Sequence, residues 1–318
     1  MTTQALKRLG LPDRSVLAAF LLFMLVAGGA SVAVRVTYVE MAPFWTAASR
    51  FLLGALALWA IAFVKRIPVP RGRALAGAVL FGVLTVGLAF LLASWGLVET
   101  PASRYQTLMA TVPLLTVFLS SLHGVEAISR RGILGSLLAV GGIAVTFGGS
   151  GGSGLSLPHT IAILLSAAFI AEGGVLIKKF PPNPPVMTNA IGMSVGGLIL
   201  GIASLVSGEK WTIPAQANTW IAYLYLVIFV SVLAFLLYMF ILGKWSASGT
   251  SYGFVLTPLV TIVLASTLVG EEITWNFLAG AVLVLTGVFV GALFPSRAKS
   301  AADEECMSHT GQVLPRCA

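Results

Sequence analysis

Two charged side chains stand where charge is expensive. Glu172, in AAFIAEGGVLIKKF, is the only acid well inside an apolar run. Arg50 lies in another such run, roughly 12 Å deep at 1.5 Å per residue. An ionised group inside a bilayer must find a partner or face a wet cavity, so such groups point to proton relays, ion sites or ligand counter-charges. Arg50 can attract a substrate carboxylate, or it can serve the structure through backbone carbonyls. Glu172 can couple transport to protons or hold a cation. It can also simply reach the interface or pair with a lysine, because Lys178 follows about 9 Å further along a helix. Other reactive types are scattered. His123, His159 and His309 fall at span ends or in the tail, and Cys306 and Cys317 fall in the tail, where free thiols are expected. No metal-ligand cluster, nucleophile elbow or phosphate-cradling loop is written in the chain. The expectation is no metal, no cofactor and no enzyme.

The elements around these residues follow from composition. Of 318 residues, 58% are hydrophobic and 9% are charged, against about 25% charged in soluble domains. A membrane helix needs about 20 apolar residues, and apolar windows fall at 15–34, 42–64, 74–97, 101–122, 132–148, 157–177, 185–207, 219–243, 247–268 and 275–294. The runs are continuous and lack the alternation of a membrane β-barrel. The fold class expected is an all-α integral membrane protein with ten transmembrane helices. The first run is read as a span and not as a cleaved leader. Ten spans put Lys65, Arg66, Arg71, Arg73, Arg130, Arg131, Lys178 and Lys179 in connections on one side, together with both termini. By the positive-inside rule that side is the cytoplasm. The net charge of +8 therefore reads as topology and not as a nucleic-acid surface.

Shifted by 145 residues, the chain matches itself. Leu88–Leu92 recurs as Leu233–Leu237, Pro113-Leu114 as Pro258-Leu259, Glu126 as Glu271, Gly135 as Gly280 and Gly142 as Gly287. Five spans per copy invert the second copy relative to the first. Inverted repeats mark secondary transporters, whose substrate site lies near the midplane between the halves. The expected organisation is a cytoplasmic segment 1–14, a first five-helix repeat 15–148, a Gly/Ser linker 149–156, a second repeat 157–294 and a cytoplasmic tail 295–318.

Pro113, Gly124, Glu126, Gly135 and Gly142, with Pro258, Gly270-Glu271, Gly280 and Gly287, resemble the pattern that ends each repeat of the EamA family. That family belongs to the drug/metabolite transporter superfamily. Gly28, Arg35, Pro43 and Arg50-Phe51 fit its beginning, and the resemblance runs from about 15 to 294. Ala27 stands where the family often has Trp, and Val125 splits the first Gly-Glu. The resemblance implies a ten-helix exporter of small metabolites with cytoplasmic termini. Within the family it extends to bacterial aromatic amino-acid exporters.

Further candidates lie beside the central motifs. Phe90, Ser94, Trp95, Tyr105, Thr107, Asn189, Tyr238 and Tyr252 could, with Arg50, form an apolar pocket with few polar groups, suited to an amino acid. Pro113 and Pro258 are expected to kink helices and to serve gating. Trp211, Trp220, Trp245 and Trp275 read as interface anchors. The expected activity is export of amino acids or similar small metabolites across the bacterial inner membrane by alternating access. The expected partners are a small-molecule substrate and the lipid bilayer, without nucleic acid, and a monomer suffices. A drug or quaternary-cation exporter is the alternative within transport. A membrane scaffold or membrane enzyme is the alternative outside it.

Overall fold

The computed structural model describes residues 13–125, most of 133–145, and 156–251, 253–270 and 274–292. Eight helices among the described residues are long and apolar enough to cross a membrane. They are α1 (Arg14–Thr37), α2 (Pro43–Val64), α3 (Arg73–Glu99), α4 (Ala102–Leu122), α5 (Leu157–Ile177), α6 (Pro185–Val206), α7 (Ala217–Lys244) and α8 (Ala247–Leu268). A further helix, α9 (Trp275–Ala292), carries a shorter apolar stretch, Leu278–Gly287. These agree with nine of the sequence windows to within a few residues. The window at 132–148 is described only in part, with helical residues between 133 and 145, so the count of ten crossings is not established. Residues 1–12, the linker 149–155 and the tail lie outside the described residues, as do Glu126, Glu271 and Tyr252.

The helices pack as an exchange between halves. α2 lies along α6; α1 packs on α8, and α5 on α4; α3 crosses α5 and α6, while α7 crosses α1 and α2. Under the 145-residue shift each of these pairings maps onto another or onto itself. The sharpest case lies between residues 133–145 and α9. A Cβ placed on Gly142 would come 2.6 Å from the Gly280 carbonyl oxygen and from the Val284 nitrogen. One placed on Gly287 would come 2.5 Å from the Gly135 carbonyl oxygen and 2.6 Å from the Ala139 nitrogen. Each contact is the repeat image of the other. Only glycine allows two helix backbones to come this close.

Several helices depart from α geometry, α8 among them with a π-helical stretch at Ala265–Val269. α1 changes direction at Gly29, between Arg14–Gly28 and Ala30–Thr37. α4 is interrupted at Ala110–Thr111, with Pro113 opening the piece Val112–Leu122. α3 and α7 each contain a π-helical stretch, Gly82–Leu88 and Leu226–Ala234. Those two stretches are repeat images, and π-turns recur at functional sites because they re-aim side chains mid-helix.

Candidate functional site

The π-stretches of α3 and α7 flank a central cavity. It encloses about 880 Å³ of atom-free space, mouth included. Its wall draws on both halves, and several lining residues are repeat mates: Phe90 with Phe235, Thr85 with Val230, and Met109 with Phe254. The Phe90 and Phe235 rings lie 6.0 Å apart, and Phe51 meets both edge-on, at 4.7 and 5.6 Å. The wall is predominantly apolar.

Arg50 breaks the symmetry, since its repeat mate is Val195. Among the described residues that line the cavity, it is the one that carries a charge. The side chain is 3% exposed. Its guanidinium carbon lies 4.5 Å from the centroid of Phe51 and 5.1 Å from that of Phe90. Nε and Nη1 have no hydrogen-bond partner. The ionisable groups near enough to act on it are the hydroxyls of Tyr38, Tyr105 and Tyr223, none of them a carboxylate. Ring faces contribute about 2 kcal/mol to a desolvated cation. Removing a cation from water costs several kcal/mol. The rings alone therefore do not satisfy this guanidinium.

Of the predicted pocket residues, Arg50, Phe90, Ser94, Tyr105 and Tyr238 line the cavity. Three others do not. The Trp95 indole lies on the outer surface, 41% exposed, against the His159 ring at 4.4 Å. The Thr107 hydroxyl donates to the Ser103 carbonyl within its own helix. Asn189 is fully buried behind the wall, where Nδ2 donates to the Phe235 carbonyl at 2.9 Å and so holds the backbone of a lining residue. The sequence reading missed Ser31, Tyr38, Thr85 and Gln106. The Tyr38 hydroxyl donates to the Ser94 carbonyl at 3.2 Å, and the Gln106 amide donates to the Thr257 hydroxyl, tying α4 to α8.

Pro113 starts a helical piece and therefore breaks no hydrogen bond within it. Pro258 lies inside α8 and cannot donate to the Phe254 carbonyl. The Thr257 hydroxyl donates to that carbonyl instead, at 2.9 Å. Among the described residues, Glu172 has His123 and not a lysine as its partner. Its Oε1 lies 2.7 Å from His123 Nε2, joining α5 to the end of α4. Position 123 caps the piece Val112–Leu122, so the pair is set by where that piece stops.

The end of the bundle that carries the α1–α2 connection is locked by reciprocal caps. Glu209, between α6 and α7, accepts from the Phe44 and Trp45 amides at 3.0 and 2.8 Å, at the start of α2. Glu40, between α1 and α2, accepts from the Ala215 and Gln216 amides at 3.2 and 3.1 Å, at the start of α7. A carboxylate there satisfies orphan N–H groups and meets the positive end of the helix dipole. The Thr219 hydroxyl first, and then those amides, hold the Glu40 carboxyl below the usual carboxylate range. Between the caps, Trp45 stacks on Trp211 at 4.6 Å and 5°, and the Trp45 indole N–H donates to the Thr212 carbonyl at 3.0 Å. Trp211 is therefore part of an inter-half contact and not only an interface anchor.

A helical chain whose two halves pack on each other around a cavity is matched by a family of known proteins. The EamA-like transporter family matches residues 14–148 and again 158–292. The chain belongs to the EamA-like transporter family. Among its similar EamA-like proteins is an inner membrane transporter of Escherichia coli (strain K12), YedA, itself uncharacterised. It is 30% identical over 88% of this chain and 92% of its own length. A protein of Salmonella typhimurium named "Probable amino-acid metabolite efflux pump" is 26% identical over 85% of this chain and 92% of its own. A crystal structure superposes with a TM-score of 0.69 at 17% identity, over 90% of this chain and 99% of that one, which shows the shared fold.

Proposed function

We propose that this EamA-like transporter exports amino acids, aromatic and other neutral ones, or similar small metabolites, by alternating access. The membrane would be the bacterial inner membrane, with both termini in the cytoplasm. The observation that carries this reading is the cavity between the halves, with aromatic walls and a single unsatisfied guanidinium. Rings suit an apolar side chain, and Arg50 suits a carboxylate through paired N–H···O bonds. The Salmonella relative's name, which speaks of amino-acid metabolite efflux, points the same way. The exchange packing supports alternating access, because inverted halves can trade conformations to open either face. In this reading the Glu40 and Glu209 caps lie at the outer end and hold it shut. The His123–Glu172 pair, towards the cytoplasmic end, is the candidate for proton coupling. A quaternary-cation exporter fits less well, since the charge in the cavity is positive.

The test is counterflow in proteoliposomes with labelled phenylalanine, tryptophan, threonine, methionine and a quaternary ammonium drug. Saturable exchange of amino acids and not of the drug is expected. Exchange of the drug alone would overturn the reading. Glu172→Gln is expected to flatten the pH dependence of exchange, and an unchanged profile would remove Glu172 as the coupling group.

A further inference from the structure

One residue stands between the cavity and the surface. The end of the bundle that carries the α1–α2 connection holds a second recess, whose lining includes Arg35, Val39, Val98 and Lys210. Val39 is 70% exposed and Lys210 is exposed, so this recess is open at the surface. Among the described residues, Tyr38 is the one that lines both the recess and the central cavity.

Tyr38 is placed there by the way α1 ends. Where α1 bends at Gly29, two carbonyls are taken by hydroxyls from the second half of the chain: Val26 accepts from Tyr225 at 2.6 Å, and Gly28 accepts from Thr261. Side-chain hydroxyls satisfy the backbone of an interrupted membrane helix in this way. The piece beyond the bend, Ala30–Thr37, packs on the first turns of α7 and ends at Tyr38, whose N–H donates to the Val34 carbonyl at 3.1 Å. From this cap the phenol reaches α3, where it donates to the Ser94 carbonyl. Beside it, Arg35 Nη1 donates to the Leu97 and Val98 carbonyls at 3.1 and 2.8 Å and draws the same two helix ends together. Ser94 and Leu97 line the cavity and Val98 lines the recess, so the seam between α1 and α3 forms the wall between the two spaces.

The inverted repeat does not demand a ring at this place. The repeat mate of Tyr38 is Asn183, whose amide donates to the Ala74 carbonyl at 2.8 Å and which does not line the cavity. Building on the alternating-access reading above, we infer that Tyr38 is the gate between the cavity and the recess: its ring closes the passage, and its bond to Ser94 latches it. Because the bend of α1 is tied to α7 and α8, a shift of the second half against the first moves the segment that carries the ring. Cargo then passes between Arg50 and the recess.

The experiment reads access and not transport. In a background with Cys306 and Cys317 changed to Ser, Ser94→Cys reports from the cavity wall and, in a separate protein, Lys210→Cys reports from the recess. A membrane-impermeant anionic thiosulfonate reagent is applied to each face of oriented membrane vesicles, and the face from which position 210 reacts is the face of the recess. Reaction past a closed gate waits on a minor open state, about 0.1–10% populated, so from that face position 94 is expected to react at least about tenfold faster in Tyr38→Ala. Tyr38→Phe, which keeps the ring and loses the latch, is expected to fall between Tyr38→Ala and the protein with Tyr38 in place. An unchanged rate in Tyr38→Ala overturns the inference, and an unchanged rate in Tyr38→Phe overturns the latch. An equal rise from the opposite face would mean that the bundle has loosened, which also overturns the gate. Exchange of the drug alone in the counterflow test would overturn the exporter reading and leave these rates standing, so the two failures are distinguishable.

Discussion

Arg50 sets stability against function at a single residue. A buried, unpaired cation destabilises the empty protein, because its N–H groups lose water and gain no acceptor. Arg50→Met is therefore expected to raise the unfolding free energy by roughly 1–3 kcal/mol, seen as a higher melting temperature, while abolishing saturable exchange. A lower melting temperature would mean that Arg50 braces the fold. Glu40 shows the opposite economy, since its charge is used by the structure. Its carboxyl is held low in the folded protein by the Thr219 hydroxyl and two amides. A depressed value contributes stability above the unfolded range near 4.3, and that contribution is lost as pH falls through the folded value. Wild type should melt above Glu40→Gln at pH 7, and the difference should shrink as pH falls through the lowered folded value. A constant gap across pH would show that the charge is not what stabilises the cap.

The helices matter through where they are interrupted and where they touch. The Gly142–Gly280 and Gly135–Gly287 approaches bring backbones together with no room for a Cβ. Gly142→Val should cost about 1–3 kcal/mol through overpacking. Gly141→Ala, one residue away and with nothing within 4 Å of the new carbon, should be neutral in the same melting assay. This pairing was half legible: the glycines recur at the same places in both repeats, but the partner helix was not readable from spacing. The π-stretches were not legible at all. Hydropathy averages over a turn, so an added residue per turn at Gly82–Leu88 leaves no trace in composition. Its effect is to change which face of α3 meets the cavity. Phe90 and Ser94 point in, whereas their neighbour Trp95 faces out.

For the whole molecule, the alternating access proposed above would require the stacked Trp45–Trp211 contact and its flanking caps to open and close. Cysteines at positions 45 and 211, in a background with Cys306 and Cys317 changed to Ser, should cross-link on oxidation and stop counterflow, with reductant restoring it. Full exchange in the cross-linked protein would mean that this end never opens. The sequence alone determined the membrane class, the positions of the eight helices long and apolar enough to span, the 145-residue repeat and the family, because length, hydropathy and recurring Pro and Gly are properties of the chain's linear order. It also identified Arg50 and Glu172 as the charges in costly places. Only the tertiary structure decided that Glu172 pairs with His123, that Asn189 holds a backbone carbonyl, that Trp95 turns outward and that Ser31 and Thr85 are among the residues lining the cavity. The reason is physical. In a membrane protein the lipid-facing and protein-facing surfaces are equally apolar, so pattern cannot tell them apart, and only the packing of one half against the other assigns each side chain its neighbours.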